Sequence, residues 1–203
     1  HGALHGVTMR TWAAPRGRLD ADAALDLIAV GCGPFLVETA CVAVEDTHNF
    51  GGGTVQGLDE VARFAAGARE LGVKTHLDGA RLANAAAVTG RGFAEYGALF
   101  DTVSLCLSKG LGAPVGSVLV GRADDIARAR IQRKRLGAGW RQAGLLAAAA
   151  RHALAHNLDR IGGDHLAARA LARSLNEARP GSVDESGIES NIVLIPADGA
   201  PRV

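Results

Sequence analysis

The chain has 203 residues, enough for one domain or for one large and one partial domain, and 48% of them are apolar, so a full core is available. Its 22 Lys and Arg against 21 Asp and Glu leave a formal net charge of +1. That balance gives no electrostatic ground for a nucleic-acid or membrane partner, and no uncharged apolar run is long enough to span a bilayer.

Cys32, Cys41 and Cys106 show no C-x-x-C spacing, and Cys41 and Cys106 lie in apolar runs. They read as buried thiols in a reducing cytosol; with no signal peptide visible, the expected location is cytoplasmic. The sequence opens at His1-Gly2 without an initiator methionine and stops at Pro201-Arg202-Val203 just after a strand-like run. It therefore reads as a piece of something longer.

In chain order, Phe35 to Val44 (FLVETACVAV) predicts a strand, and Glu45 to Gly53 a loop ending in three glycines. Leu58, Val61, Phe64, Ala65, Ala68 and Leu71 recur at helical spacing, and Gly72 ends that helix. Val73 to Leu77 is a short strand with Asp78 at its carboxyl end. Helical stretches follow near Arg81 to Val88 and Phe93 to Leu99, then a strand at Thr102 to Leu107 and another at Gly116 to Val120. Asp124-Asp125 open a helix whose later turns carry Arg128, Arg130, Arg133, Lys134 and Arg135, a charge order that complements the macrodipole. Past Gly137-Ala138-Gly139, an alanine-rich helix from about Gln142 to Leu158 is apolar almost all round and is expected to be buried. Gly162-Gly163 reads as a break and as the domain boundary, before a helix at Leu166 to Glu177 and a strand at Asn191 to Ile195. Strands alternating with helices imply an α/β fold with a largely parallel sheet.

The stretch SLCLSKGLGAPVG carries the chemistry. Lys109 follows an apolar strand and precedes a turn punctuated by Gly110, Gly112 and Pro114. An amine against apolar surface tends to lose its proton, and a neutral amine is the nucleophile of Schiff-base chemistry. Asp78 stands at the end of another strand, and ligands of open α/β sheets bind beyond the carboxyl ends of strands. An amine with a carboxylate there is what pyridoxal phosphate needs: one forms the imine, the other keeps the ring nitrogen protonated. On spacing alone, a structural ion pair or two unrelated surface charges remain open.

The segments HLDGARLANAAAVTG, DTVSLCLSKGLGAPVGSVLVG and RKRLGAGWRQAGLLAAAA resemble the core of the L-threonine aldolases of low-specificity type, within the β-eliminating lyase family. EDTHNFGGGTV resembles that family's E-N-T-H-N loop, with Asp46 in place of asparagine. The resemblance runs from about Val42 to Ala150 and continues weakly to ESNIVLI. It implies the aspartate-aminotransferase-like fold (fold type I of the pyridoxal-phosphate enzymes): a three-layer α/β sandwich with a mostly parallel sheet. Residues 1–160 would belong to the large cofactor-binding domain and 161–203 would begin a small C-terminal α+β domain. It also implies Lys109 as Schiff-base lysine, Asp78 as partner of the pyridine nitrogen, Arg81 near the phenolic oxygen and Ser108 near the phosphate. Glu45, Thr47 and His48 would line the pocket, and Lys134 and Arg141 would approach an active site, from a neighbouring subunit. The implied reaction is retro-aldol cleavage of a β-hydroxy-α-amino acid to glycine and an aldehyde, in a homo-oligomer built as a dimer of dimers. In the family, the phosphate loop and the ring-stacking histidine lie upstream of this segment, and the arginine that grips the substrate carboxylate lies downstream. The competing readings are β-elimination or transamination on the same cofactor, and a non-catalytic remnant of the fold.

Other features have plainer readings. His152 and His156 sit four apart on one helical face, but Ala153 breaks the H-E-x-x-H pattern and no third ligand is in view, so no metal is expected. The basic run Arg128 to Arg135 reads as a solvated or subunit-facing helix. Gly51 to Gly53 read equally as an anion cradle or as a flexible loop.

Overall fold

The structure is a computed structural model and describes residues 2–196. Two short helices, α1 (Gly2–His5) and α2 (Ala21–Leu25), precede strand β1 (Cys41–Glu45). Helix α3 (Leu58–Glu70) then leads to β2 (Lys74–Gly79). Helices α4 (Leu82–Thr89) and α5 (Phe93–Gly97) lead on to β3 (Thr102–Cys106), and β4 (Ser117–Gly121) follows. Helices α6 (Ala123–Arg135), α7 (Gly144–His156) and α8 (Ile161–Ala178) complete the described elements.

The four strands form one sheet in chain order. The β1–β2 and β2–β3 pairs are parallel, which requires the helical crossovers α3 and α4–α5 between them. The β3–β4 pair is antiparallel, joined by the lysine turn alone. The protein thus has the α/β fold with a mostly parallel sheet that its sequence predicts.

The pleat sends Val44, Leu77 and Val103 to one face. There they meet Val61 and Phe64 of α3, Leu82 and Ala85 of α4, and Tyr96 of α5 in the main core. Helix α3 buries Val61, Phe64, Ala65 and Ala68, the helical-spacing set read from the sequence apart from its two ends. A second cluster gathers Leu107, Leu111 and Ala113 of the lysine turn against Ala83, Ala150, Ala153 and Ile161. On the other sheet face, Cys41, Ala43, Lys74 and Asp78 are exposed.

Several local expectations are overturned. Gly33–Phe35 is a 3-10 turn with Phe35 exposed, and β1 begins only at Cys41, because its ladder partner β2 begins at Lys74. Cys41 is exposed on the outer sheet face rather than buried, while Cys32 and Cys106 are half-buried. Helix α7 buries only Ala150 and Ala153 and leaves Leu145 81% exposed. An apolar helix surface permits burial but does not supply a neighbour. Gly162 and Gly163 do not break the chain: both sit exposed in the first turn of α8, where glycine weakens a helix without ending it. Asn191 to Ile195 joins no ladder and is not a strand.

Candidate active site at the carboxyl edge of the sheet

Parallel register aligns Glu45 with Asp78 and Asp78 with Ser104, so three polar side chains form a row across β1, β2 and β3 at their carboxyl ends. Asp78 is exposed, and the hydrogen bond its carboxylate makes is from the Ala80 amide, 3.1 Å away. His76, two residues earlier on the same face, shares a 2.8 Å hydrogen bond with Thr102 Oγ1. Burial lowers its pKa, and the nearby Asp78 carboxylate pulls the other way. Arg81 follows at the start of α4, half-buried.

Ser108 and Lys109 lie just past the end of β3, in a turn closed by Gly112 N–H donating to Lys109 O (2.8 Å) and Ala113 N–H to Leu107 O (2.9 Å). Both side chains are exposed, so Lys109 is not pressed against apolar surface as its sequence neighbours suggested. Among the described residues, neither the Lys109 amine nor the Arg81 guanidinium has a hydrogen-bond or ion-pair partner.

The loop after β1 is built by side chains facing inward. Glu45 Oε1 accepts from Asn49 N–H at 3.1 Å, and its other oxygen lies 3.8 Å from His48 Nε2. His48 Nδ1 accepts from Gly51 N–H at 3.0 Å, which assigns the ring proton to Nε2, facing Glu45. Gly52 N–H donates to Asn49 O and Gly53 N–H to His48 O, so all three glycine amides are used inside the loop. The three glycines are also buried. The triple glycine is therefore neither an anion cradle nor a loose loop; it is a close-packed turn. A Cβ on Gly51 would sit 1.9 Å from the carbonyl oxygen of Arg16, which is backbone and cannot swing aside. Gly51→Ala is expected to lower stability by ~1–3 kcal/mol or more through this overlap, read as a fall in denaturation midpoint. A variant as stable as the parent would contradict the close packing.

Asp46 and Thr47 are 1% and 0% exposed. Asp46 Oδ1 accepts from Gln56 N–H at 3.2 Å, while its Oδ2 and the Thr47 hydroxyl have no partner. Burial, with Glu189 and Glu45 adding negative charge, lifts the Asp46 carboxyl from 3.8 to about 7 against the opposing Gln56 bond. Thr47 is thus enclosed within the loop.

Sequence reasoning missed the groups that brace this loop. Gln56 Nε2 donates to Glu45 O and Gly17 O, at 3.2 and 2.9 Å. Glu189 pairs with Arg16 (3.0 Å) and Arg18 (2.7 Å) and accepts from Val55 N–H (3.1 Å), and Ser190 Oγ donates to Gly53 O (2.7 Å). Glu189 and Ser190 lie more than a hundred residues from the loop groups they hold, and Gln56 lies 39 residues from Gly17, so no local signal announces them.

Lys134 and Arg141 are exposed, in the last turn of α6 and just before α7, and no contact among the described residues joins either to Asp78 or Lys109. Helix α6 buries no residue and pairs Arg128 with Asp125. The His152 and His156 rings sit 4.4 Å apart, and no group of three potential metal-ligating side chains occurs among the described residues. Two surface clefts, one beside Ala83 and Phe93 and one beside Asp164 and Val193, are lined by none of the residues at this edge. None of the described helices is long and apolar enough to cross a membrane.

A mostly parallel α/β sheet thus carries an amine, a carboxylate and a guanidinium at its carboxyl edge, the end at which open α/β sheets bind ligands. The model of the β-eliminating lyase family matches residues 1–198, and the chain belongs to that family. It is 39% identical over 169 residues to low-specificity L-threonine aldolase 1 of Arabidopsis thaliana, covering 83% of this chain and 47% of that protein. It is 40% identical over 157 residues to the low specificity L-threonine aldolase of Escherichia coli O157:H7, covering 76% and 46%. The chain thus spans about half the length of these relatives. Among solved structures it resembles an Exiguobacterium sp. 255-15 protein described as an aromatic amino acid β-eliminating lyase/threonine aldolase, with TM-score 0.69, 29% identity and coverage of 77% and 44%. It shares its fold with Leishmania major threonine aldolase, with TM-score 0.68, 24% identity and coverage of 83% and 49%.

Proposed function

We propose that the protein carrying this chain is a pyridoxal-5′-phosphate-dependent aldehyde-lyase. It cleaves L-threonine, L-allo-threonine and related β-hydroxy-α-amino acids to glycine and an aldehyde such as acetaldehyde. The observation that carries the reading is the donor set at the sheet edge: the Lys109 amine and Arg81 guanidinium without partners among the described residues, with an Asp78 carboxylate held by one backbone amide at the end of the strand next to β3. These groups fit the cofactor, whose aldehyde takes an amine, whose ring nitrogen takes a carboxylate and whose phenolic oxygen takes a cation. When bound, it supplies an electron sink for the substrate α-carbon.

Lys109 would hold the cofactor covalently through its amine, the group that would also carry a proton at the substrate. Asp78 would keep the proton on the ring nitrogen. Arg81 would neutralise the phenolic oxygen, and Ser108 would donate to the phosphate. The Gly51 amide leaves the ring proton of His48 on Nε2, on the side of Glu45, and this pair would line the pocket. Lys134 and Arg141 would serve the site of a neighbouring subunit in a cytoplasmic homo-oligomer, a dimer of dimers; their exposure supports this. Residues from 161 onward would begin the smaller domain, with Ala168, Ala172, Val183 and Ile188 as its own apolar cluster and Ile161, His165, Glu189 and Ser190 docking it onto the larger one.

The deciding experiment supplies L-threonine to the full-length protein loaded with pyridoxal phosphate and analyses the products. Glycine with equimolar acetaldehyde is expected. A keto acid instead would move the chemistry to elimination or transamination, and no turnover of any amino acid would leave the non-catalytic reading.

A further inference from the structure

We propose that the Asn84–His165 hydrogen bond is a positioning device for the active site, locking the helix that presents Arg81 to the helix that backs the Lys109 turn. The proposal deepens the cofactor reading and rests on it. Asn84 Nδ2 lies 3.0 Å from His165 Nε2, across 81 residues of chain, and the two residues are 1% and 5% exposed.

Each partner is tied to one half of the site. On α4, the Asn84 amide donates to the Arg81 carbonyl oxygen at 2.8 Å, so Asn84 sits one turn beyond the proposed phenolate partner and is bonded to its backbone. On the other side is Gly110, the residue directly after Lys109. A Cβ placed there would lie 3.0 Å from Ile161 Cδ1, 3.5 Å from Asn84 Oδ1 and 3.8 Å from Asp164 Oδ2. The lysine turn therefore runs close to both Asn84 and the start of α8, the helix that carries His165, and Leu111 of the turn packs with Ile161. Asn157, just before α8, adds a 2.7 Å bond from Nδ2 to Leu111 O in the same turn.

The chemistry of the pair explains why it fixes register. The Asn84 amide nitrogen only donates, so His165 Nε2 accepts and the imidazole is neutral with its proton on Nδ1. Burial favours that neutral form, aided by Arg169 and opposed by Asp164. Apolar helix faces tolerate small slips, whereas slipping here would strand two buried polar groups in a low-dielectric interior. A site that must hold its guanidinium and its amine against one planar cofactor is sensitive to such slips, since a misplacement of ~1 Å costs about 10²-fold in rate.

The test uses the full-length protein with Asn84→Leu, His165→Leu, both together, and His165→Gln, which keeps an acceptor. Three quantities are read: melting temperature, the dissociation constant of added pyridoxal phosphate, and the pH midpoint of the visible band of the lysine-bound cofactor. The double leucine variant leaves neither group unpaired and is expected to regain the stability that each single variant loses. It should nonetheless bind the cofactor ~10-fold more weakly and titrate at a displaced midpoint, because the register is no longer fixed. His165→Gln should match the parent in all three. A double variant that binds and titrates like the parent would overturn the proposal and leave the pair a stability element. So would a His165→Gln variant, folded and shifted as far as His165→Leu, since the hydrogen bond would then not be what matters. Lys109→Ala run alongside separates the two readings: if it keeps the visible band, the cofactor assignment itself has failed and the positioning proposal falls with it.

Discussion

Lys109→Ala in the full-length protein is expected to abolish the visible absorption band of the bound cofactor and to lower L-threonine turnover by ~10³-fold or more, the scale on which removing a covalent catalytic group acts. Its fold should be untouched. Lys109 is exposed and has no side-chain partner among the described residues, and substitutions at such positions change stability by about 0.5 kcal/mol or less. The turn around it is held by backbone bonds from Gly112 and Ala113 and by Asn157, none of which uses the lysine side chain. An absorption spectrum, a thermal melt and an acetaldehyde assay on one preparation therefore separate chemistry from structure. Retention of the band with an unchanged melt would remove Lys109 from the site.

Asp46→Asn should act in the opposite way, on stability and only above acidic pH. The Asp46 carboxyl titrates at about 7 in the fold and near 3.8 when unfolded, because burial disfavours its charge and Glu189 and Glu45 repel it. A raised carboxyl pKa means that between about pH 4 and 7 the folded state keeps a proton that the unfolded state has released. Stability then falls as pH rises through that window and levels off above it. At pH 8 the charged, buried Asp46 is expected to cost roughly 2–4 kcal/mol relative to an amide of the same shape, and at pH 4 close to nothing. Asp46→Asn should accordingly raise the melting temperature at pH 8 and leave it nearly unchanged at pH 4. Equal melts at both pH values would mean that the carboxyl is hydrated or paired in solution. The same substitution restores the asparagine of the E-N-T-H-N pattern that this loop resembles.

The sequence was informative where a pattern completes itself within a few residues. Val61, Phe64, Ala65 and Ala68 declared both the helix and its buried face, and the acid-first, base-last order of α6 declared its direction. It misled where composition stood in for a neighbour. Phe35 looked like strand core and is exposed, α7 looked buried and is largely open, and Asn191 to Ile195 has strand composition but no ladder. Strand formation needs a second strand, and a run of apolar residues does not say where that strand begins.

At the sheet edge, the places of Asp78 and Lys109 were legible because each sits beside its own local punctuation, a strand end or a glycine turn, whereas Arg81 was singled out only through the family resemblance. The same letters misreported their surroundings: Lys109 is exposed where desolvation was expected, and the three glycines form a packed turn. By itself, then, the sequence determined the alternation of strands and helices and the positions of Asp78 and Lys109 at strand ends, since periodicity and turn chemistry act over a handful of residues. Only the tertiary structure decided the register that lines up Glu45, Asp78 and Ser104, the burial of Asp46, the bracing of the loop by Glu189 and the meeting of Asn84 with His165. Those depend on which distant surfaces exclude water from one another, and no local pattern encodes that.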